Sequence, residues 1–294
     1  MNICIFYFSG TGNTKKIVDL YSEQLLSENC SVITHAIENY PNGLGDIDLD
    51  KFDKIGIAYP IHAFNAPSIV LDFARSLPVL KQQKELFIVK TSGEPLALNN
   101  ISSLKLKSIL KRKKLSATNE YHYCMPYNII FRHAESTAYK MYEYAKKVIP
   151  FDVHEIVTGT AVKMPKVFCG RFLAWIFRIE HWGGRFNGKR YKVNDNCIHC
   201  LKCVKACPVN NIKFDGEKFK FGSECLMCMR CSFNCPENAI KIGLFDKWKV
   251  NGAYGFKESD DKETHAKYCK KAYAKYFEKI DEKIAKSRSA SAQS

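Results

Sequence analysis

Eight of the thirteen cysteines crowd between Cys197 and Cys235. They form two runs of one rhythm: Cys197, Cys200, Cys203 and Cys207 before Pro208, then Cys225, Cys228, Cys231 and Cys235 before Pro236. Thiolates concentrated at such short intervals point to metal rather than disulfides. Zinc uses pairs of CxxC separated by a longer spacer, which is not the pattern here. The second chemical signal is the loop Ser9, Gly10, Thr11, Gly12, Asn13 and Thr14. Small residues let a backbone approach an anion closely, and N–H groups at the start of a helix can surround a phosphate together with three hydroxyls. The loop lacks the GK[ST] ending of a P-loop and does not match GxGxxG, which argues against ATP and dinucleotides.

The elements that position this loop are legible as hydrophobic runs. Ile3 to Phe8 is apolar on both faces, as a central parallel strand requires. Shorter runs recur at Ser31 to Ile37, Ile55 to Tyr59, Leu86 to Thr91 and Tyr121 to Met125. Helical spacing separates them, for example Ile17, Leu20, Tyr21 and Leu25. Strands alternating with helices imply an α/β, doubly wound parallel sheet of five strands, whose ligands bind at the carboxyl ends of the strands. Two further loops fall at such ends. One holds Tyr59, Pro60, Ile61, His62, Ala63, Phe64 and Asn65, and the other Thr91, Ser92, Gly93 and Glu94.

The N-terminal loop resembles the phosphate loop of flavodoxins, which bind FMN, and the paired CxxCxxCxxxCP runs resemble a bacterial two-cluster ferredoxin. The whole pattern is similar to flavodoxin-ferredoxin fusion proteins over roughly residues 1–255. The resemblance implies that the loops at Tyr59–Asn65 and Thr91–Glu94 enclose the flavin ring, with Tyr59, His62 and Phe64 as its neighbours and MPYN, Met125 to Asn128, within reach. It also implies crossed ligation: Cys197, Cys200, Cys203 and Cys235 to one 4Fe-4S cluster, Cys225, Cys228, Cys231 and Cys207 to the other. Flavodoxins usually place a glycine in the first ring loop, and Ile61 to Ala66 contains none, which weakens the expected stabilisation of a one-electron-reduced flavin. His199 reads as an exposed loop side chain. Cys4, Cys30, Cys124, Cys169 and Cys269 read as small buried hydrophobes.

These readings give four segments: a flavodoxin-like FMN domain over 1–164, an aromatic basic linker helix over 165–186, a small α+β ferredoxin-like domain with two 4Fe-4S clusters over 187–243, and a C-terminal helical tail over 244–294. The linker's aromatics, in a helix from Val167 to Trp182, are expected to dock one domain on the other, with a membrane-surface helix as the alternative. In the tail, Cys269, Tyr273, Tyr276, Phe277, Ile280 and Ile284 form a stripe at helical spacing for packing on the body, and SRSASAQS reads as an unstructured end.

Length and composition agree. The chain has 294 residues, enough for about two domains, with 46% hydrophobic and 26% charged residues. Its net charge is +15, concentrated on residues 165–243, where 14 basic side chains face 6 acidic ones. Bound clusters offset part of that excess, and the remainder steers acidic redox partners. No nucleic-acid motif or stacking platform accompanies it, so no nucleic-acid partner is expected. With no secretory leader and no apolar run of spanning length, a cytoplasmic protein is expected. The function implied is electron transfer between two 4Fe-4S clusters and FMN, serving redox-protein partners as a low-potential relay in anaerobic metabolism. The alternative is an FMN-dependent reductase of a small molecule that uses the clusters as its wire. The oligomeric state is open.

Overall fold

The computed structural model describes residues 1–291. Five parallel strands, β1 (Asn2–Tyr7), β2 (Ser31–Ala36), β3 (Lys54–Pro60), β4 (Lys84–Ser92) and β5 (Leu115–Cys124), are ordered β2-β1-β3-β4-β5. This is the flavodoxin-like doubly wound order. Ile3, Cys4, Ile5 and Phe6 of β1 are at most 1% exposed because β1 is central and covered on both faces, whereas the edge strand β2 is largely open. β5 starts at Leu115, earlier than its apolar run at Tyr121 suggests. Its first half carries polar Ser116, Thr118 and Asn119, and ladder pairing with β4 extends it.

Alternate residues divide the core into two layers. Cys4 and Phe6 face α2 (Ser68–Ser76) and α3 (Leu104–Lys111), while Ile3 and Ile5 face α1 (Asn13–Ser27) and α4 (Glu135–Thr158). The start of α4 is capped from a distance: Asp261 accepts from the Glu135 and Ser136 N–H groups at 2.9 Å each. The helix ends at Gly159, whose φ of 77° turns the chain in the left-handed region.

The linker is not one helix from Val167 to Trp182. It forms α5 (Gly170–Phe177) and α6 (Ile179–Gly188), and the second absorbs Gly183 and Gly184. Of its aromatics, Phe177 docks on the sheet domain, its ring 4.8 Å from that of Phe64, whereas Phe168, Phe172, Trp175, Trp182 and Phe186 face outward. The fully buried residues are Gly170, Ala174, Gly184, Asn187 and Gly188. Close approach explains this: a Cβ on Gly188 would stand 2.1 Å from Cys225 Cβ.

The cysteine-rich module is small. β6 (Lys192–Val193) pairs with β9 (Ile240–Lys241), β7 (Ile212–Phe214) pairs with β8 (Phe219–Phe221), and α7 (Lys202–Ala206) and α8 (Arg230–Phe233) each start one residue before the third cysteine of a run. The repeat in sequence is a repeat in backbone. His199 and Leu201 have positive φ, as do Met227 and Met229 at the matching positions, and Asn210 is matched by Asn238. The tail packs on the body through α9 (Lys270–Ser291), burying Cys269, Tyr273, Phe277 and Ile280. Ser287 to Ser291 are helical rather than unstructured, and the last three residues of SRSASAQS lie outside the described residues. Among the described residues no helix is long and apolar enough to cross a membrane.

Candidate functional site

A cavity of about 520 Å³ opens at the carboxyl ends of the strands. Ser9, Gly10, Thr11, Asn13 and Thr14 line one end of the loop set, joined by Pro60, Ile61, His62, Ala63, Phe64, Thr91, Ser92, Gly93 and Glu94. Met125 to Asn128 line it too. Gly12, Tyr59 and Asn65 do not. Tyr59 turns into the core on the other face of β3, and Asn65 closes a tight turn with His62, whose backbone groups exchange hydrogen bonds of 2.9 and 2.8 Å with it. Gly12 supplies backbone instead. Its φ of 99° starts α1, whose first turn carries no acidic residue and whose N-cap Gly12 has no side chain, so that N–H groups other than that of Lys15, which donates to Ser9 Oγ, are left for an anion.

The surrounding hydrogen bonds fix this loop. Ser9 Oγ accepts from Lys15 N at 3.2 Å, Thr14 and Thr91 share a hydroxyl contact of 2.8 Å, and Asn13 donates to Pro126 O at 2.7 Å. The first ring loop lacks glycine, yet Ala63 and Phe64 both adopt positive φ, 38° and 62°. That backbone strain is held in place by the His62–Asn65 turn. From the tail, Tyr273 donates to Gly93 O, and Tyr276 accepts from Cys124 N at 3.0 Å, so α9 buttresses the second ring loop from behind.

Sequence reasoning missed a second wall. Glu180, Gly183, Gly184, Met227, Phe245 and Trp248 complete the cavity, bringing the linker and the cysteine module over the loops of the sheet. It also missed Arg230, within the second triple-Cys loop. Its guanidinium donates to Ser9 O at 2.7 Å and Gly10 O at 3.3 Å and pairs with Glu38 at 2.6 Å. A cation between two ligand cysteines was the available signal. Beside it the backbones touch: a Cβ on Gly10 would stand 2.3 Å from Cys228 O.

The residues present fit both implied groups. The loop at Ser9–Thr14 offers close-approach backbone and open donors. The Oε2 atoms of Glu94 and Glu180, both on the cavity, are buried without a hydrogen-bond partner, and His181 Nε2 lies 3.7 Å from that of Glu180. In the module, backbone N–H groups of His199, Asn211, Met227 and Ala239 point at Cys197, Cys207, Cys225 and Cys235 sulfurs, at 3.2–3.4 Å. Such donors stabilise cluster thiolates. The thiols also group across the repeat. Burial raises Cys231 first, followed by the fields of Cys228, Cys225 and Cys207; Cys203 is raised by burial and, among thiols, feels Cys197 and Cys235. Among the described residues no three candidate ligands converge tightly enough for a single metal ion, and a cubane spreads its thiolates further apart than one ion does. Cys200 and His199 are exposed, and of the remaining cysteines Cys4, Cys30, Cys124 and Cys269 are buried while Cys169 is exposed.

Residues 196–239 match the family model of a 4Fe-4S dicluster domain. The chain joins a flavodoxin-like fold to a dicluster domain. No curated protein matches the chain. Among solved structures it is similar to a flavodoxin from the domain Archaea, with 13% identity and a TM-score of 0.35, covering 53% of this chain and 99% of that one. It is also similar to Streptococcus pneumonia TIGR4 flavodoxin, with 14% identity and a TM-score of 0.38, covering 54% and 100%. A third similar structure is the rubredoxin oxygen:oxidoreductase of Desulfovibrio gigas, with 14% identity and a TM-score of 0.36, covering 55% of this chain and 37% of that one. At these scores the flavodoxin-like assignment rests on strand order, not on the overlaps.

Electrostatics around the cavity make it a place where protons are held. Burial pushes the Glu94 and Glu180 carboxyls from 4.5 up to about 7. Burial, then the neighbouring His181, lowers His62 to about 4, with a Leu226 backbone hydrogen bond opposing. A carboxyl raised on folding lends stability that is full below its unfolded pKa and is lost as pH rises through the folded value. Urea unfolding of the flavin-free protein is therefore expected to show a stability contribution from these two groups that declines between about pH 4.5 and 7. Glu94→Gln/Glu180→Gln will flatten that slope relative to wild type; unchanged slopes would show that neither carboxyl titrates there.

Proposed function

We propose that this protein moves electrons between two 4Fe-4S clusters and an FMN bound in the cavity, as a low-potential relay in the anaerobic cytoplasm. Cys197, Cys200, Cys203 and Cys235 hold one cluster, and Cys207, Cys225, Cys228 and Cys231 the other. The observation that carries the reading is the backbone contact between Gly10 and Cys228, clamped by Arg230. It sets the second motif against the Ser9–Thr14 loop, which supports its cluster as the one that would exchange electrons with the flavin. Exposed Cys200 supports the other cluster as the one that would meet an outside donor.

FMN supplies a site that exchanges electrons singly or in pairs, whereas clusters pass them one at a time. The chain's own residues do the positioning. Backbone N–H groups from Gly10 to Thr14 bind the phosphate, Ile61 and Met125 present apolar surface to the ring, and Phe245 and Trp248 help exclude water. Glu94 and Glu180 hold protons at Oε2 near neutral pH. Those two carboxyls favour the second reading, an FMN-dependent reductase of a small molecule, because a reductase needs a proton donor beside the ring. Redox partners of the relay are acidic proteins that meet the basic excess.

An anaerobic absorbance titration of the reconstituted protein separates the readings. Reduced low-potential ferredoxin is expected to bleach the clusters and then the flavin, with NAD(P)H inert. Direct reduction of the flavin by NAD(P)H would overturn the relay and make the protein an FMN enzyme with a nicotinamide site.

A further inference from the structure

The two linker helices are built inside out. A helix on a soluble protein turns its large apolar residues to the core and its polar residues to water. Here the fully buried residues of α5 and α6 are Gly170, Ala174, Gly184, Asn187 and Gly188, four of them small, with half-buried Leu173 and Phe177, the latter packed on Phe64. Facing water are Phe168, Phe172, Trp175, Ile179, Trp182 and Phe186, each 57–91% exposed. Their spacings are three and four throughout, so across the two helices they recur together rather than as scattered surface residues. A cluster of six large exposed apolar side chains marks an interaction site.

The charges beside the cluster state what it meets. Between residues 163 and 192 there are eight Lys and Arg against one acid, Glu180, and that acid points into the cavity. Arg171, Arg178 and Arg185 recur every seven residues among them. Of these, Arg185 reaches Glu224 at 3.1 Å, while Arg190 stacks on Phe186 at 3.6 Å. An apolar cluster of Trp, Phe and Ile flanked by basic residues is the composition of a helix that lies in the headgroup layer of an anionic bilayer. Tryptophans favour that layer because an apolar ring and a polar N–H are both accommodated there. The shape agrees. Side chains this exposed stand proud of the surface like wedges, whereas docking on a folded partner buries anchors in preformed pockets framed by hydrogen-bonding groups of both signs.

We propose that α5 and α6 dock the protein peripherally on an anionic lipid surface, with the aromatic cluster in the headgroup layer and the arginines on lipid phosphates. Because the inner side of α6 lines the cavity through Glu180, Gly183 and Gly184, the docked protein carries its cavity within one helix diameter of the membrane.

The test is co-sedimentation of the full-length, cofactor-loaded protein with vesicles of phosphatidylcholine alone or mixed with phosphatidylglycerol. The wild type is expected to pellet with the mixed vesicles and to be released by high salt, and Trp175→Glu/Trp182→Glu to bind at least ten-fold more weakly. Both tryptophans are exposed, so the variant keeps its flavin and iron-sulfur absorbance; Phe168→Asp/Phe172→Asp repeats the test from the other end of the aromatic cluster. A wild type that stays in the supernatant with both vesicles overturns the proposal, as do variants that pellet like the wild type. Loss of vesicle binding together with protection of Trp175 and Trp182 by an acidic ferredoxin would assign the aromatic cluster to a protein partner instead. None of these readouts depends on electron flow, so the docking stands or falls separately from the relay.

Discussion

Glu120→Ala is expected to destabilise the flavodoxin-like domain by about 3–5 kcal/mol, the cost of leaving a buried charge without its partner. Lys90 is fully buried and Glu120 nearly so, and their side chains meet at 2.6 Å between β4 and β5. Glu120 also accepts from Ser103, and from Lys107 at 2.7 Å. In the variant, Lys90 retains only the Asn99 carbonyl, at 3.2 Å, among these partners. Burial by itself pushes the Glu120 carboxyl up, but Lys90 and Lys107 together hold it below its usual value. The stability it lends is therefore complete above the ordinary carboxylate range, near pH 4.3, and is lost as pH falls. Urea unfolding at neutral pH measures the loss. Replacing both partners, Lys90→Met/Glu120→Met, is expected to recover most of it, since apolar pairs of similar volume tolerate such sites. A single variant within about 1 kcal/mol of wild type would show that the pair contributes nothing net. The position matters to the cavity because Lys90 directly precedes Thr91, which lines it.

Gly10→Val is expected to weaken FMN binding about 30- to 100-fold, equivalent to about 2–3 kcal/mol of overpacking, while leaving the iron content unchanged. The added Cβ falls 2.3 Å from Cys228 O and 3.2 Å from Cys228 C. These are backbone atoms of Cys228 itself and cannot swing aside as a flexible side chain would. The phosphate loop must retreat, and Arg230 then loses its hold on the Ser9 and Gly10 carbonyls. Flavin fluorescence titration reports the affinity, and iron analysis reports the module. A variant with wild-type flavin affinity would remove the contact from the account of cofactor coupling. Reduction of the flavin through the clusters is expected to slow in the same variant, because the two redox units no longer share a fixed interface.

Which parts of this molecule were legible in its sequence follows from which constraints are local. The eight cysteines were readable because a cubane needs several ligands from one tight loop, so spacing alone carries the chemistry. The Ser9–Thr14 loop was readable for a related reason: a strand, a small-residue turn and a helix start are consecutive in the chain. The alternation of buried runs with helical spacing was enough for the doubly wound sheet. Helical periodicity also found the aromatic stripe of the linker. It could not say which way the stripe points, because periodicity identifies residues that share a face and not the side the core occupies. Cys225 decided that by approaching Gly188 too closely for any side chain.

Only the tertiary structure decided how the two halves meet. Arg230 and Ser9 lie far apart in the chain, as do Gly10 and Cys228, and no local pattern encodes a contact of that range. The same holds for Glu180 and Trp248 over the cavity, for α9 behind Gly93, and for Asp261 at the start of α4. The sequence determined that this protein has two four-cysteine motifs and a small-residue loop opening a helix on a parallel sheet, because each of those is a short-range arrangement of residue types. The fold decided which motif lies against that loop and which aromatics stay outside, because packing selects among faces that the sequence leaves equivalent.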